Sequence, residues 1–149
     1  METLTEPFKE NRGSKIEWDQ FEEEIKKLAE KIKIDFQSDI IIGVMRGGAV
    51  PARLLSRELG VKSMSGVSVE KDGEERKVMT DLLIDLNGKK VLLVEDMLET
   101  GRSLIIVKKY LENKGAEVKT VCLYTMSHSE IKPDYFLNEV EKAQKFPWE

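Results

Sequence analysis

From Trp18 onward the chain alternates between a helical and an extended hydrophobic period. Trp18, Phe21, Ile25, Leu28 and Ile32 recur at spacings of three and four, which predicts a helix through about residue 33. Either Asp19–Glu22 or Ser14–Glu17 provides its capping box, and Glu22–Lys26 and Glu23–Lys27 are i,i+4 pairs on its wet face. Residues 40–44 form an unbroken apolar run (with one glycine), as expected of a parallel strand covered on both faces. Pro51 near a first turn and Gly60 just beyond an end bracket a second helix. Residues 63–69 read as a strand, and the charged stretch 70–77, without an apolar anchor, as a mobile loop. A strand over 78–84, an Asn87-Gly88 turn and a buried strand over 91–94 follow. A helix containing residues 105–111 closes at Gly115, and 118–124 is a further strand. This alternation specifies an α/β fold, with a mainly parallel twisted sheet flanked by helices through right-handed crossovers. Residues 1–14 are polar and aperiodic and read as a flexible tail, leaving 15–149 as a single domain.

Composition narrows the setting. Hydrophobic residues make up 40% of the chain and charged residues 35%, as in a soluble globular protein. No apolar run approaches the ~20 residues needed to cross a bilayer, so no membrane partner is expected. Residues 1–12 carry no signal-peptide hydrophobic region. The single cysteine, Cys122, sits in an apolar segment and excludes a disulfide framework, which fits a reducing cytoplasm. A net charge of −4 without a basic face argues against nucleic acid as a partner. An anionic ligand would therefore be held by local groups rather than by overall charge.

The chemistry concentrates in residues 91–104, VLLVEDMLETGRSL. An apolar strand ends in two adjacent acids, and a Thr-Gly loop then opens a helix. Ligands of open α/β sheets bind beyond the carboxyl ends of strands. A helix N-terminus suits a phosphate, and a carboxylate pair suits sugar hydroxyls or a divalent cation. A phosphorylated ribose satisfies both. The stretch is not a Walker A loop, since no Lys-Ser/Thr follows the glycine. In isolation, Glu95 and Asp96 read equally as solvated or capping acids.

The same stretch resembles the phosphoribosyl pyrophosphate (PRPP) motif of type I phosphoribosyltransferases. Residues 43–55, GVMRGGAVPARLL, resemble that family's pyrophosphate loop and the helix after it. The likeness is closest to short xanthine-guanine and hypoxanthine (purine salvage) members, which also tend to end in Pro-Trp, here Pro147-Trp148. The resemblance implies the type I phosphoribosyltransferase fold with a small C-terminal hood. It also implies Mg²⁺-dependent transfer of phosphoribosyl from PRPP to a nucleobase, giving a nucleoside monophosphate and pyrophosphate. Glu95 and Asp96 would bind the ribose hydroxyls, with Asp96 also meeting Mg²⁺. Leu98, Glu99, Thr100, Gly101, Arg102 and Ser103 would wrap the 5′-phosphate. Arg46 and Gly47 would bind pyrophosphate, with the Arg46–Gly47 peptide cis or able to switch. Glu99 stands where relatives usually carry Asp near the purine N7 and is the candidate catalytic proton donor or acceptor; an exposed helix-start acid is the competing reading. A homo-oligomer, dimer or tetramer, is expected from the resemblance alone.

The base-binding half departs from the family pattern. Thr125-Met126-Ser127-His128 stands where relatives place a Lys for the 6-oxo group. Ala143, four positions before Pro147, replaces a stacking aromatic, and Ser68 is followed by Val69 rather than Tyr. Phe146 or Trp148 either stacks on the base or closes the core, and the lone His128 reads as an exposed loop residue before a catalytic one. A 6-oxopurine is the expected acceptor; the alternatives are a different base, or a PRPP- or nucleotide-binding module without activity.

Overall fold

The computed structural model describes residues 15–149. The expected tail and Ser14 lie outside them. Helix α1 (Trp18–Asp35) buries Phe21, Ile25, Leu28 and Ile32, while Trp18, at 48% exposure, remains on the rim. Its N-cap is Glu17 and no side chain caps it; Asp19 and Glu22 both lie inside the helix. Strand β1 (Ile40–Met45) leads into α2 (Ala49–Leu59), which ends at Gly60 with φ 68°.

Next come β2 (Met64–Asp72), β3 (Glu75–Val78), β4 (Lys90–Val94), β5 (Met97–Leu98), α3 (Arg102–Asn113), β6 (Glu117–Val121), β7 (Tyr124–Met126) and β8 (Asn138–Val140). The main sheet has the order β3-β2-β1-β4-β6, parallel except for the antiparallel β2–β3 pair. A small parallel sheet, β5-β7-β8, forms a hood beside it. The main sheet divides the core. Ile41 and Leu92 face α1, α2 and the hood, whereas Ile42, Val44, Val91 and Leu93 face Leu104, Val107 and Leu111 of α3. Both faces are thus covered, which explains the continuous apolar runs of β1 and β4.

Three sequence expectations are corrected. Residues 70–77 are not an unpaired loop: Val69, Glu70, Lys71 and Asp72 pair with Val78, Lys77, Arg76 and Glu75 in a hairpin. The two-residue Gly73-Glu74 turn, with Gly73 at φ 64°, closes it, and the charged composition masked the strand signal. The expected strand 78–84 stops at Val78, because the Thr80 hydroxyl takes the Ser68 amide at 2.8 Å. Leu83 beyond it is 93% exposed. Residues 118–124 are also not one strand. After Val121 the chain leaves the main sheet: the amide of Cys122 donates to Tyr135 and that of Leu123 to Asp96, so Tyr124 begins the hood sheet.

Candidate functional site

Strands β1 and β4 are parallel neighbours, yet α2 carries the chain from β1 to the opposite side of the sheet, to β2. The loops after β1 and β4 therefore diverge at a topological switch point, where α/β sheets form ligand crevices. A cleft of about 1060 Å³ opens there. That volume suits a nucleotide-sized ligand.

The two loops meet where Gly47 of one packs on the Asp96 side chain of the other. Gly47 abuts the Asp96 carboxylate so closely that a Cβ would stand 2.6 Å from Oδ2. The cis peptide is Met45–Arg46, one bond before the position the resemblance implied. Arg46 is exposed on the cleft wall.

Glu95 and Asp96 both line the cleft and are half-buried. Asp96 Oδ1 accepts the Met97 amide at 2.6 Å, and Glu95 Oε1 accepts the Asp96 amide at 3.3 Å. Burial, reinforced by the neighbouring Asp96 charge, holds the Glu95 carboxyl well above the usual range. Burial, with the Glu149 charge, lifts Asp96 to about 6. Two carboxylates crowded in this way favour a bound cation or hydroxyl donors.

Residues 98–103 curl over the cleft at the start of α3. Gly101 is the N-cap at φ 79°, and no side chain caps the helix or adds an acid to its first turn. A Cβ on Gly101 would also meet Ser129 Oγ at 2.7 Å, so shape and backbone angle both require glycine. Thr100 Oγ1 takes the Arg102 amide at 3.3 Å. The N-terminal amides of this twelve-residue helix carry the positive end of its dipole, which attracts anions. Leu98 is 2% exposed, so only its main chain can serve the loop. The Arg102 guanidinium is committed elsewhere: it bonds Glu130 at 2.9 Å and reaches Glu74 of the hairpin at 3.5 Å. Glu99 is exposed on the cleft wall.

The C-terminal segment supplies the far wall through Ala143, Gln144, Trp148 and Glu149. Phe146 also borders the cleft but is 1% exposed. Its ring stacks with Tyr124 at 6.0 Å and with Trp148 at 4.8 Å, so it closes the core. Trp148 is half-buried and also packs on Phe21 at 4.7 Å. His128 is exposed and outside the cleft. Sequence reasoning missed Lys71 and Arg76, which reach the cleft from the hairpin. The Asp72-Gly73 dipeptide between Val69 and Val78 was the available signal.

A family model described as phosphoribosyl transferase domain matches residues 17–149. The chain belongs to this family. The phosphoribosyltransferase is 32% identical to the xanthine-guanine phosphoribosyltransferase of Desulfotalea psychrophila, over 90% of this chain and 84% of that one. It is 31% identical to the hypoxanthine-guanine phosphoribosyltransferase of Lactococcus lactis, over 76% and 68%. Its fold matches the crystal structure of the purine phosphoribosyltransferase of Pyrococcus horikoshii with a TM-score of 0.84 and 35% identity, covering 93% and 94% of the two chains. The type I phosphoribosyltransferase fold and the enzyme class expected from the sequence are thereby shown. No helix among the described residues is long and apolar enough to cross a membrane.

Proposed function

We propose that this phosphoribosyltransferase joins the phosphoribosyl group of PRPP to a ring nitrogen of a 6-oxopurine, releasing pyrophosphate. The observation that carries this reading is the placement of the Glu95–Asp96 pair and the uncapped α3 N-terminus on one cleft. The names of the similar enzymes support the acceptor class: xanthine-guanine, hypoxanthine-guanine and purine phosphoribosyltransferases.

In this reading the residue 98–103 amides and the Thr100 and Ser103 hydroxyls hold the 5′-phosphate, and the acids accept hydrogen bonds from the ribose hydroxyls. Arg46 and the Gly47 amide face the diphosphate. The C1–oxygen bond breaks and its electron pair departs with pyrophosphate, while the base nitrogen bonds to C1. The proton on the other imidazole nitrogen passes to Glu99. Fixing both reactants in one cleft removes much of the entropic barrier.

A magnesium ion fits the acid pair. No group of three or more metal-ligating side chains gathers among the described residues. Mg²⁺ typically binds one or two carboxylates plus substrate oxygens, and Asp96 would hold it together with PRPP. When bound, it offsets charge on the departing diphosphate.

Steady-state assays with PRPP, Mg²⁺ and a panel of bases test the proposal. Turnover with hypoxanthine, guanine or xanthine is expected; turnover with none of them rejects the acceptor. Ala143 on the cleft wall, where the resemblance implies an aromatic, favours a second reading in which a different base is accepted. The same panel separates the two.

A further inference from the structure

Glu24 and Tyr124 stand 100 positions apart in the chain, yet the Tyr124 hydroxyl donates to Glu24 Oε1 at 2.5 Å. Neither residue lines the cleft. The other oxygen of the Glu24 carboxylate accepts the Gln20 side-chain amide at 3.2 Å. Tyr124 is 1% exposed, and a buried hydroxyl needs a partner. Here the partner is an ionisable acceptor from α1, and such charge-assisted bonds are short and strong. Burial alone does not call for this arrangement, because a phenylalanine would fill nearly the same volume with no polar group to satisfy. Apolar packing is non-directional, whereas a hydrogen bond fixes direction as well as distance.

What the contact fixes is visible on the other side of the Tyr124 ring. That ring lies 18° from the plane of Phe146, which lies 7° from the plane of Trp148. The three near-parallel rings form a column that starts in the core and ends at the cleft, where Trp148 is half-buried. Helix α1 reaches this end as well: Phe21 meets Trp148 edge-on at 4.7 Å, and Trp18 lies 6.0 Å from it. One helix thus holds both ends of the column. Two further contacts seat the hood segment on α1. Lys31 Nζ donates to the Phe136 carbonyl at 3.2 Å, and the Tyr135 hydroxyl donates to Asp35. Glu24, Lys31 and Asp35 follow at spacings of seven and four, which places them on one face of the helix. Of the three, Glu24 is the one that grips a ring of the column.

We propose that Glu24 and Tyr124 are positioning residues for the acceptor base. Their hydrogen bond fixes the Tyr124–Phe146 stack, and through it the angle at which Trp148 meets the base. The inference rests on the base-accepting reaction proposed above. Aromatic rings interact at preferred offsets and angles, so an indole that tilts loses contact with a planar acceptor. The groups assigned to PRPP sit in the loops after β1 and β4, so the effect is confined to the acceptor.

The test compares full-length Tyr124→Phe, Glu24→Ala, Glu24→Gln and the Tyr124→Phe/Glu24→Ala double. Tyr124→Phe keeps the ring and loses only the hydroxyl. In it and in Glu24→Ala, KM for hypoxanthine or guanine is expected to rise about fivefold, with KM for PRPP within about twofold of wild type. Glu24→Gln, which keeps an acceptor, recovers part of the loss. The double is no worse than the worse single, because each removes the same contact. The chain has two tryptophans, so a Trp18→Phe background leaves Trp148 as the sole indole. In that background both variants should shift its emission and raise its quenching by acrylamide. An unchanged KM for the base, or equal increases for both substrates, overturns the proposal. Unaltered indole emission in a variant whose base KM has risen overturns it too. A wild-type chain that turns over no 6-oxopurine overturns the acceptor reading instead, and the indole emission still decides whether the contact sets the ring.

Discussion

Gly47 lies flat against the Asp96 carboxylate, with room for no atom between its Cα and the two oxygens: a Cβ would stand 2.6 Å from Oδ2 and 2.7 Å from Oδ1. This contact joins the loop after β1 to the loop after β4, and it aligns the proposed pyrophosphate and ribose subsites. Close approach, rather than an unusual φ, is what requires glycine here.

Replacing Gly47 with Ala should push the Asp96 carboxylate aside. We expect KM for PRPP to rise, or kcat to fall, about tenfold or more, for a folding cost on the order of 1–3 kcal/mol from overpacking. Steady-state kinetics alongside thermal melting check this. A variant with unchanged kinetics would show that the contact does not position the acid.

Asp96 makes the ligand-free protein less stable as pH rises. Its folded carboxyl titrates at about 6 against an ordinary value of 3.8, so between these values the folded state binds more protons than the unfolded state. Stability from this group is therefore lost across that window and stays lost above it. Asp96→Asn should gain on the order of 1–2 kcal/mol over wild type at pH 7.5 and little near pH 4, while turnover collapses. Melting curves without substrate at the two pH values decide it; equal destabilisation at both identifies a structural acid.

Arg102 separates main-chain from side-chain phosphate binding. Its guanidinium bonds Glu130 and Glu74, so Arg102 itself would serve a phosphate through its main chain and not its side chain. Arg102→Leu should change ribose 5-phosphate affinity less than about threefold, under 1 kcal/mol. It should raise the KM for PRPP more, because the hairpin loses its tie. Calorimetry and kinetics on the same preparation measure both. A large loss of ribose 5-phosphate binding would return the guanidinium to the phosphate site.

Phe146 and Trp148 should behave differently. Phe146, with its ring stacked between Tyr124 and Trp148, is core; Phe146→Ala is expected to cost ~3–5 kcal/mol in denaturant unfolding. Trp148 is half-buried at the cleft. Trp148→Ala should raise the KM for the base more than the KM for PRPP if it meets the base, and neither selectively if it only packs on Phe21.

The parallel core was legible in the sequence because both faces of β1 and β4 are covered, so Ile40–Ile42 and Val91–Val94 read as unbroken apolar runs. The phosphate loop and acid pair were legible because they adjoin in the chain. The hairpin was not, since Lys71 and Arg76 face a charged hollow and leave no apolar alternation to detect. Val118–Tyr124 read as one strand because both of its halves are buried, although they belong to two sheets. The role of Phe146 depends on Tyr124, 22 positions earlier in the chain, a proximity that local pattern cannot reveal.

In the proposed reading, Glu95, Asp96 and the amides opening α3 together hold an activated pentose. Calorimetric titration of PRPP with Mg²⁺ into wild type and into the Glu95→Gln/Asp96→Asn double variant tests it most directly. Wild type should bind saturably, and affinity should be weaker by about a hundredfold, ~3 kcal/mol, in a double variant that still melts cooperatively. Equal affinity in the two proteins, or no binding to wild type, would contradict it.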